Sequence, residues 1–391
     1  MKILIYEPTG GLCNYSLNLA YGLTKNGCNI SLITMKDFDN YFFNYSKKIN
    51  IIPLCNSFLI PEWLQKRGLF PLERIYKTYI IWYNISIRRK ICYQLKPNII
   101  HLQITHPIID QFYINDLSKH IKTVLTVHDV RWHNRKSLNN IKLFLKNVYT
   151  YVNKLIVHSC ENKKQLINEF KLPENKISII PFGTELPLND SVSKDDARKI
   201  LTLPLKSKLI LFFGTIRENK GLDILLQSIK DIQKKIPNIK LIIAGKLVPF
   251  DTFNKYNLMI NTLKLTDNII LRIGRVKNED VELYFKASDL TVLPYKNTYS
   301  SQSGVLFDAY KYQCPLVVTN VGGIGETVSE DKTGIVVDST NKYITNAIIR
   351  LIEDEQLNKS IKDNMISAIK SKYSWDIVAK KTIDVYNSIL N

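Results

Sequence analysis

No two of the six cysteines in this 391-residue chain (Cys13, Cys28, Cys55, Cys92, Cys160 and Cys314) form a CxxC pair. Metal-ligand spacing is therefore missing, and scattered thiols of this kind are expected buried or partly buried in a reducing compartment. No apolar run reaches the length a membrane-spanning helix needs. The opening MKILIYEP is a short strand-like run followed by a turn. It lacks the long apolar segment and small-residue cleavage site of a signal peptide, so an intracellular protein is expected. Neither a Walker phosphate loop nor a GxGxxG fingerprint occurs, which argues against an ATP-hydrolysing P-loop and an ordinary dinucleotide site. Acidic residues are in short supply: 35 Asp and Glu face 54 Lys and Arg, a net charge of +19, and most of the surplus lies before residue 186. A basic first half suits an anionic partner, whether nucleic acid, an acidic membrane surface or a phosphorylated substrate, although a low-GC genome also inflates Lys.

Strand-like and helical stretches alternate along the chain. Apolar runs at 2–6, 29–34, 51–53, 99–102, 123–127, 154–158 and 177–180 are separated by amphipathic segments such as 14–25, 141–152 and 162–170. The pattern restarts after a polar stretch at 189–208. Strands are expected at 209–213, 240–244, 268–272, 290–294, 315–319 and 334–337, and helices at 194–201, 221–235, 251–263, 278–287, 304–312 and 343–354. A last helical segment covers 374–390. Strands alternating with helices predict an α/β protein of two doubly wound parallel-sheet domains. Such sheets bind ligands at the carboxyl ends of their strands, here in a cleft expected between the domains.

Four stretches place polar or small residues at those strand ends. In PTGGLCNYSLNLAYGL, residues 8–23, Gly10 and Gly11 turn the chain into a helix. The turn either lets backbone approach an anionic ligand or carries glycine for geometry alone. In LILFFGTIRENKGLDILLQSI, residues 209–229, an apolar strand meets Gly214, Arg217, Lys220 and Gly221. Two cations three residues apart at a strand end can both reach one diphosphate, against the plainer reading of a solvated, charged helix start. In VLTVHDVRWH, residues 124–133, His128 and Asp129 follow a strand as a polar pair at the cleft, or Asp129 caps the next segment. In SSQSGVLFDAYKYQCPLVVTNVGG, residues 300–323, the N–H groups of Ser303 and Gly304 are placed to donate to sugar hydroxyls. Asp308, one turn into the helix, can accept from a ribose diol, and Gly322 and Gly323 end the next strand. An ordinary cap and glycine turn is the plain alternative.

Together these residues resemble a known family. FFGTIRENKGLDILL, ASDLTVLPY, SSQSGVLFDA, PLVVTNVGGIGE and GIVV, in this order and spacing, resemble the second half of retaining GT-B glycosyltransferases of the family-four type. GGLCNYSLNLAYGL, VLTVHD, IVHS and IIPFGTE resemble the first half and hinge, and YSWDIVAKKTIDVY the closing helix. The resemblance implies an N-terminal acceptor-binding domain over 1–187, a nucleotide-sugar-binding domain over 188–373, and a helix at 374–391 crossing back to the first domain. It implies sugar transfer from a UDP- or GDP-sugar with retention at the anomeric carbon, and no metal or cofactor beyond the donor. Arg217 and Lys220 would neutralise the departing diphosphate. His128 matches the family's histidine near the donor sugar. The backbone at Arg275, Val276 and Lys277 matches the loop that holds the base, and Gly10, Gly11, Ser300, Gln302, Ser303, Gly304, Val305 and Asp308 fall at donor-binding positions. One departure stands out: the family's two glutamates eight positions apart are Ser300 and Asp308 here. Loss of the first carboxylate leaves open a non-catalytic, nucleotide-sugar-binding partner subunit.

Residues 61–96 mix eight Lys and Arg with Trp63, Phe70, Tyr76, Tyr79, Trp82, Tyr83 and Tyr93. Cations with amphipathic rings suit an anionic membrane surface, and equally a core helix with a solvated basic face. With the resemblance, the expectation is a cytoplasmic enzyme, peripheral on the inner face of the plasma membrane, acting on a glycan or a polyprenyl-diphosphate-linked acceptor. Charge alone would also admit single-stranded nucleic acid, but no nucleic-acid motif accompanies it, so no such partner is expected.

Overall fold

A computed structural model describes residues 1–36, 48–56, 70–130, 138–187, 192–248 and 253–391. Residues 61–69 of the basic aromatic stretch, 131–133 of the third motif, and the starts of the polar stretch and of the segment at 251–263 lie outside the described residues. The chain divides into two compact units, Met1–Gly183 with Trp375–Asn391, and Thr184–Ser374.

In the first unit the order is β1 (Lys2–Tyr6), α1 (Cys13–Lys25), β2 (Asn29–Met35), β3 (Asn50–Cys55), α2 (Phe70–Leu95), β4 (Ile99–Leu102), α3 (Pro107–His120), β5 (Lys122–Thr126), α4 (Leu138–Tyr151), β6 (Lys154–Val157), α5 (Cys160–Phe170) and β7 (Ile177–Ile179). The strands form a parallel sheet in the order β3-β2-β1-β4-β5-β6-β7. Central strands are apolar on both faces because helices cover both, as Ile3–Tyr6, buried at every position, illustrates. Ser159 caps α5 by accepting from the Asn162 N–H at 3.1 Å.

The second unit runs α6 (Lys194–Ile200), β8 (Lys208–Phe213), α7 (Leu222–Ile232), β9 (Ile239–Gly245), α8 (Asn254–Thr262), β10 (Ile269–Ile273), α9 (Val281–Ala287), β11 (Leu290–Leu293), α10 (Gly304–Lys311), β12 (Leu316–Thr319), α11 (Gly322–Asp331), β13 (Gly334–Val337), α12 (Asn341–Glu353) and α13 (Glu355–Ala368). Its parallel sheet has the order β10-β9-β8-β11-β12-β13. Leu222, Leu225, Leu226, Ile229 and Ile232 recur at helical spacing and are the buried stripe of α7. Gly322 and Gly323, read from the sequence as a turn closing β12, instead open α11. Gly322 has φ +53, and a Cβ there would sit 2.8 Å from the Ser301 carbonyl oxygen.

The last helix, α14 (Trp375–Leu390), belongs to the first unit. Trp375, Val378, Ala379, Val385 and Tyr386 join the core on the α1 side of that sheet. A Cβ on Gly22 of α1 would meet the Trp375 carbonyl oxygen at 2.7 Å, so the missing side chain permits this approach. The Tyr386 hydroxyl reaches Nδ1 of buried His101 on β4 at 2.6 Å, and the Thr126 hydroxyl meets its Nε2 at 2.7 Å.

Candidate functional site

Each sheet order reverses direction once, between β1 and β4 in the first unit and between β8 and β11 in the second. Crevices at the carboxyl ends of strands open at such switch points. In the second unit the segment after β8 carries Gly214, Arg217 and Lys220, and the segment after β11 carries Tyr295, Tyr299 and Ser300. The structure brings these two segments together. The Lys220 ammonium lies 3.6 Å from the Tyr295 ring centroid and 4.3 Å from that of Tyr299, and the Arg217 guanidinium 5.8 Å from the latter. The ring faces hold both cations by attraction to their π electrons without neutralising them.

Backbone geometry fixes this meeting. Lys220 ends a short 3₁₀ turn, Glu218–Lys220, and Gly221 follows at φ +69. A Cβ on Gly221 would fall 1.8 Å from the Pro294 carbonyl oxygen, so glycine alone lets this turn lie against the end of β11. Among the described residues no carboxylate pairs with Arg217, and its buried Nε has no hydrogen-bond partner. Lys220 is only 7 % exposed. A half-buried guanidinium beside a nearly buried ammonium is a strong local field for an anion.

The Ser300–Ser303 loop is buried, and much of its polarity is spent internally. Gln302 Nε2 donates to the Gly323 carbonyl at 3.2 Å and to the Thr327 hydroxyl at 2.9 Å. Its Oε1 accepts the Ser303 N–H at 3.2 Å, which corrects the expectation that this N–H is available to a sugar hydroxyl. The Tyr299 hydroxyl donates to the Gln302 carbonyl at 2.8 Å, and the Tyr295 and Ser303 hydroxyls meet at 3.0 Å. The loop therefore braces the two tyrosines that hold the cations. Gly304 is exposed at the first turn of α10, with Val305 half-buried beside Gly214, where a Cβ would meet its Cγ2 at 3.1 Å. Asp308 is half-buried one turn on, and burial pushes its carboxyl up to about 6, the nearby Lys311 opposing. Arg275 and Val276 follow β10, two strands from β8, exposed and half-buried respectively. A cavity of about 700 Å³ lined by Lys194, Lys208 and Asp289 lies at the amino ends of the strands, away from this cluster.

At the switch point of the first unit, Glu7 follows β1 and shapes the turn. Its carboxylate accepts the Thr9 and Gly10 N–H groups at 3.1 and 2.9 Å, and burial raises its pKa against those bonds. Gly10 has φ +70, whereas Gly11 meets its neighbours at ordinary distance. His128, half-buried two residues past β5, contacts Gln103 and His158, with Tyr15 edge-on at 4.9 Å. Asp129 beside it is exposed. Gly10, Gly11 and His128 thus belong to one unit, and the cation cluster, the Ser300 loop, Asp308 and Arg275 to the other. Sequence reasoning missed Glu7, Gln103, His158, Tyr295 and Tyr299. Each directly follows a strand end or its turn, which was the available signal.

Among the described residues no group of three or more His, Cys, Asp or Glu could hold a metal ion, and no helix is long and apolar enough to cross a membrane. Residues 9–186 match the profile described as Glycosyltransferase Family 4, and residues 193–367 that of Glycosyl transferases group 1. The chain is 24% identical over 400 residues to an uncharacterised glycosyltransferase of Methanocaldococcus jannaschii, covering 97% of this chain and 95% of that protein. It is 25% identical to the capsular polysaccharide biosynthesis glycosyltransferase CapM of Staphylococcus aureus, over 68% of this chain and 70% of that one. The fold is shared with Anabaena HepE, solved with UDP-glucose, at a TM-score of 0.74 and 15% identity over 99% of this chain and 100% of the other.

Proposed function

This chain belongs to the GT-B glycosyltransferases of the family-four type, and we propose that it moves a sugar from a UDP- or GDP-sugar to a glycan or lipid-linked acceptor with retention at the anomeric carbon. One observation carries this reading: Arg217 and Lys220, held over Tyr299 and Tyr295 at the sheet's switch point, form a cation pair suited to a departing nucleoside diphosphate. Leaving-group charge has to be stabilised as it develops, and two fixed cations do so without a metal ion. The donor complex of HepE supports a sugar nucleotide as donor. With Ser300 in place of a carboxylate, no side chain in the cluster is a ready nucleophile. That favours front-face attack, in which the departing phosphate takes the acceptor proton. The exposed Gly304 N–H and the Asp308 carboxyl would hold donor hydroxyls, and the loop at Arg275 and Val276 the base.

The likeness to CapM supports a cell-surface glycan as product. A surface feature of the first unit supports a lipid-linked acceptor. Leu72, Ile75, Tyr79, Trp82 and Tyr93 lie exposed along one side of α2 with Arg74, Arg89 and Lys90. Arg89 meets Asp116 of α3 at 3.6 Å, and exposed Ile108 and Phe112 precede Asp116 by two and one turns of that helix. Apolar and aromatic side chains rimmed by cations suit an anionic bilayer surface. We expect flotation with anionic vesicles at low salt, lost in a Trp82→Ser, Ile75→Ser double variant; a wild-type protein that stays at the bottom of the gradient ends this part.

Donor use is tested by hydrolysis assays and binding titrations with UDP, GDP and their sugars. Arg217→Ala and Lys220→Ala should each weaken nucleotide binding about 10- to 100-fold, the worth of a hydrogen bond to a charged group. Unchanged affinity in both removes the diphosphate assignment. Binding without turnover for any donor would favour the non-catalytic subunit.

A further inference from the structure

Four adjacent strands of the first sheet, β4, β5, β6 and β7, end in a row of hydrogen-bonding groups: Gln103, His128, His158 and the carbonyl of Ile180. Gln103 Oε1 lies 3.0 Å from His128 Nε2, His128 Nδ1 lies 3.1 Å from His158 Nε2, and His158 Nδ1 lies 3.0 Å from the Ile180 oxygen. A carbonyl oxygen only accepts, so His158 carries its proton on Nδ1. A neutral imidazole then has a lone pair at Nε2, and His128 must donate to it from Nδ1. His128 is left in turn with a lone pair at Nε2, which faces the amide of Gln103.

One buried atom agrees with this. Gln103 Nε2 has no hydrogen-bond partner, while its oxygen faces what the chain of bonds requires to be a second acceptor. Amide oxygen and nitrogen are interchangeable by a half-turn. The half-turn gives the stranded NH₂ a partner and removes the clash of lone pairs, leaving instead an unpartnered carbonyl, the more tolerable orphan. Only a doubly protonated His158 would reverse the direction, and burial holds that ring down to about 4. Burial and the neighbouring His158 hold His128 well below its ordinary value too, His101 adding to this and exposed Asp129 opposing, while Tyr15 supplies an uncharged wall to His128 and Phe182 one to His158.

We infer that His158 is a positioning residue that fixes His128 in its Nδ1–H tautomer, so that His128 offers a ligand an acceptor at Nε2 and never a donor. A group taking the place of the Gln103 amide must bring a proton: a sugar hydroxyl qualifies, and a phosphate oxygen does not. The ring so held selects a hydroxyl-bearing ligand such as a sugar over a bare phosphate oxygen. This last step rests on the transferase reading; the tautomer itself does not.

Long-range ¹⁵N–¹H correlation on the full chain with ¹⁵N-labelled histidine at pH 7 decides the tautomer without any variant. We expect both His128 and His158 protonated on Nδ1 and bare on Nε2. An Nε2–H form dominating at either ring overturns the inference. In His158→Phe the His128 signal should move toward the Nε2–H form that free imidazole side chains prefer in water; an unmoved signal in a folded variant assigns the tautomer to another cause. Titrations with UDP and UDP-glucose, and GDP and GDP-mannose, test the link to the ligand. For the pair that binds wild type, His158→Phe should weaken the sugar nucleotide roughly fivefold relative to its nucleotide, the worth of one neutral hydrogen bond. Equal losses for both overturn the hydroxyl-reading role. If wild type binds none of the four, the donor reading fails while the spectrum still decides the tautomer.

Discussion

Burial leaves His101 and His158 little room for a second proton, holding them down to about 3 and about 4. A histidine whose folded pKa is depressed stabilises the fold above its unfolded value near 6.5, and that stability is lost as pH falls below it. Asp308 has the opposite sign: its carboxyl is raised to about 6, so the second unit loses stability as pH climbs from about 4 through 6. The two units therefore respond in opposite directions between about 4 and 6. Calorimetry across that range should show the first unit's transition rising with pH and the second's falling. Asp308→Asn should flatten the second slope and raise that Tm by about 2 °C at pH 7, a modest gain because the side chain is half-exposed. Arg88 tests burial differently. At 1 % exposure it meets Asp110 at 2.7 Å and stacks over the Tyr6 ring at 4.9 Å. Asp110→Ala strands the guanidinium and should destabilise the first unit by about 3–5 kcal/mol in denaturant unfolding. Arg88 lies inside the stretch whose composition read simply as basic, and composition does not separate a buried cation from solvated neighbours such as Arg89 and Lys90.

Turns rather than helices or strands determine the cation cluster. Gly221→Ala should weaken nucleotide binding more than it lowers stability, since the new methyl displaces the 3₁₀ turn from Pro294 and takes Lys220 off its tyrosines. A parallel loss of nucleotide binding in Tyr295→Leu, with the fold intact by circular dichroism, checks that the ring holds the ammonium. The strands of both sheets were legible because fully covered parallel strands are continuous apolar runs, as in Leu290–Leu293 and Leu316–Thr319. Helix α11 was not, because its first residues, Gly322 and Gly323, read as a turn until the close packing on Ser301 is seen. Helix α3 hides likewise behind Pro107, which suits a first helical turn as well as a loop. Among the candidate residues, the positions of Arg217, Lys220 and His128 just after strands were legible. The partners that orient them, Tyr295, Tyr299, Gln103 and His158, come from other strand ends, and only the sheet order makes them neighbours.

Two peptide connections join the units, at 183–184 and 374–375. Each is held within its own unit: the Thr184 N–H donates to the Tyr373 carbonyl at 2.8 Å, and a Cβ on Gly183 would enter the Trp375 ring at 2.5 Å. Deleting residues 375–391 removes Trp375, Val378, Ala379, Val385 and Tyr386 from the first core. At about 1.5–3 kcal/mol for each large side chain, that approaches the whole stability of a domain. The truncated chain should keep the second unit's calorimetric transition and lose the first's. The same closing helix sets an order of events during synthesis. The first sheet leaves the ribosome early, yet its final covering layer follows only after every residue of the second unit. For that interval the α1 side of the nascent sheet, His101 included, must be shielded by a chaperone or left open to water, so a helix made only after the whole second unit decides whether the earlier sheet survives.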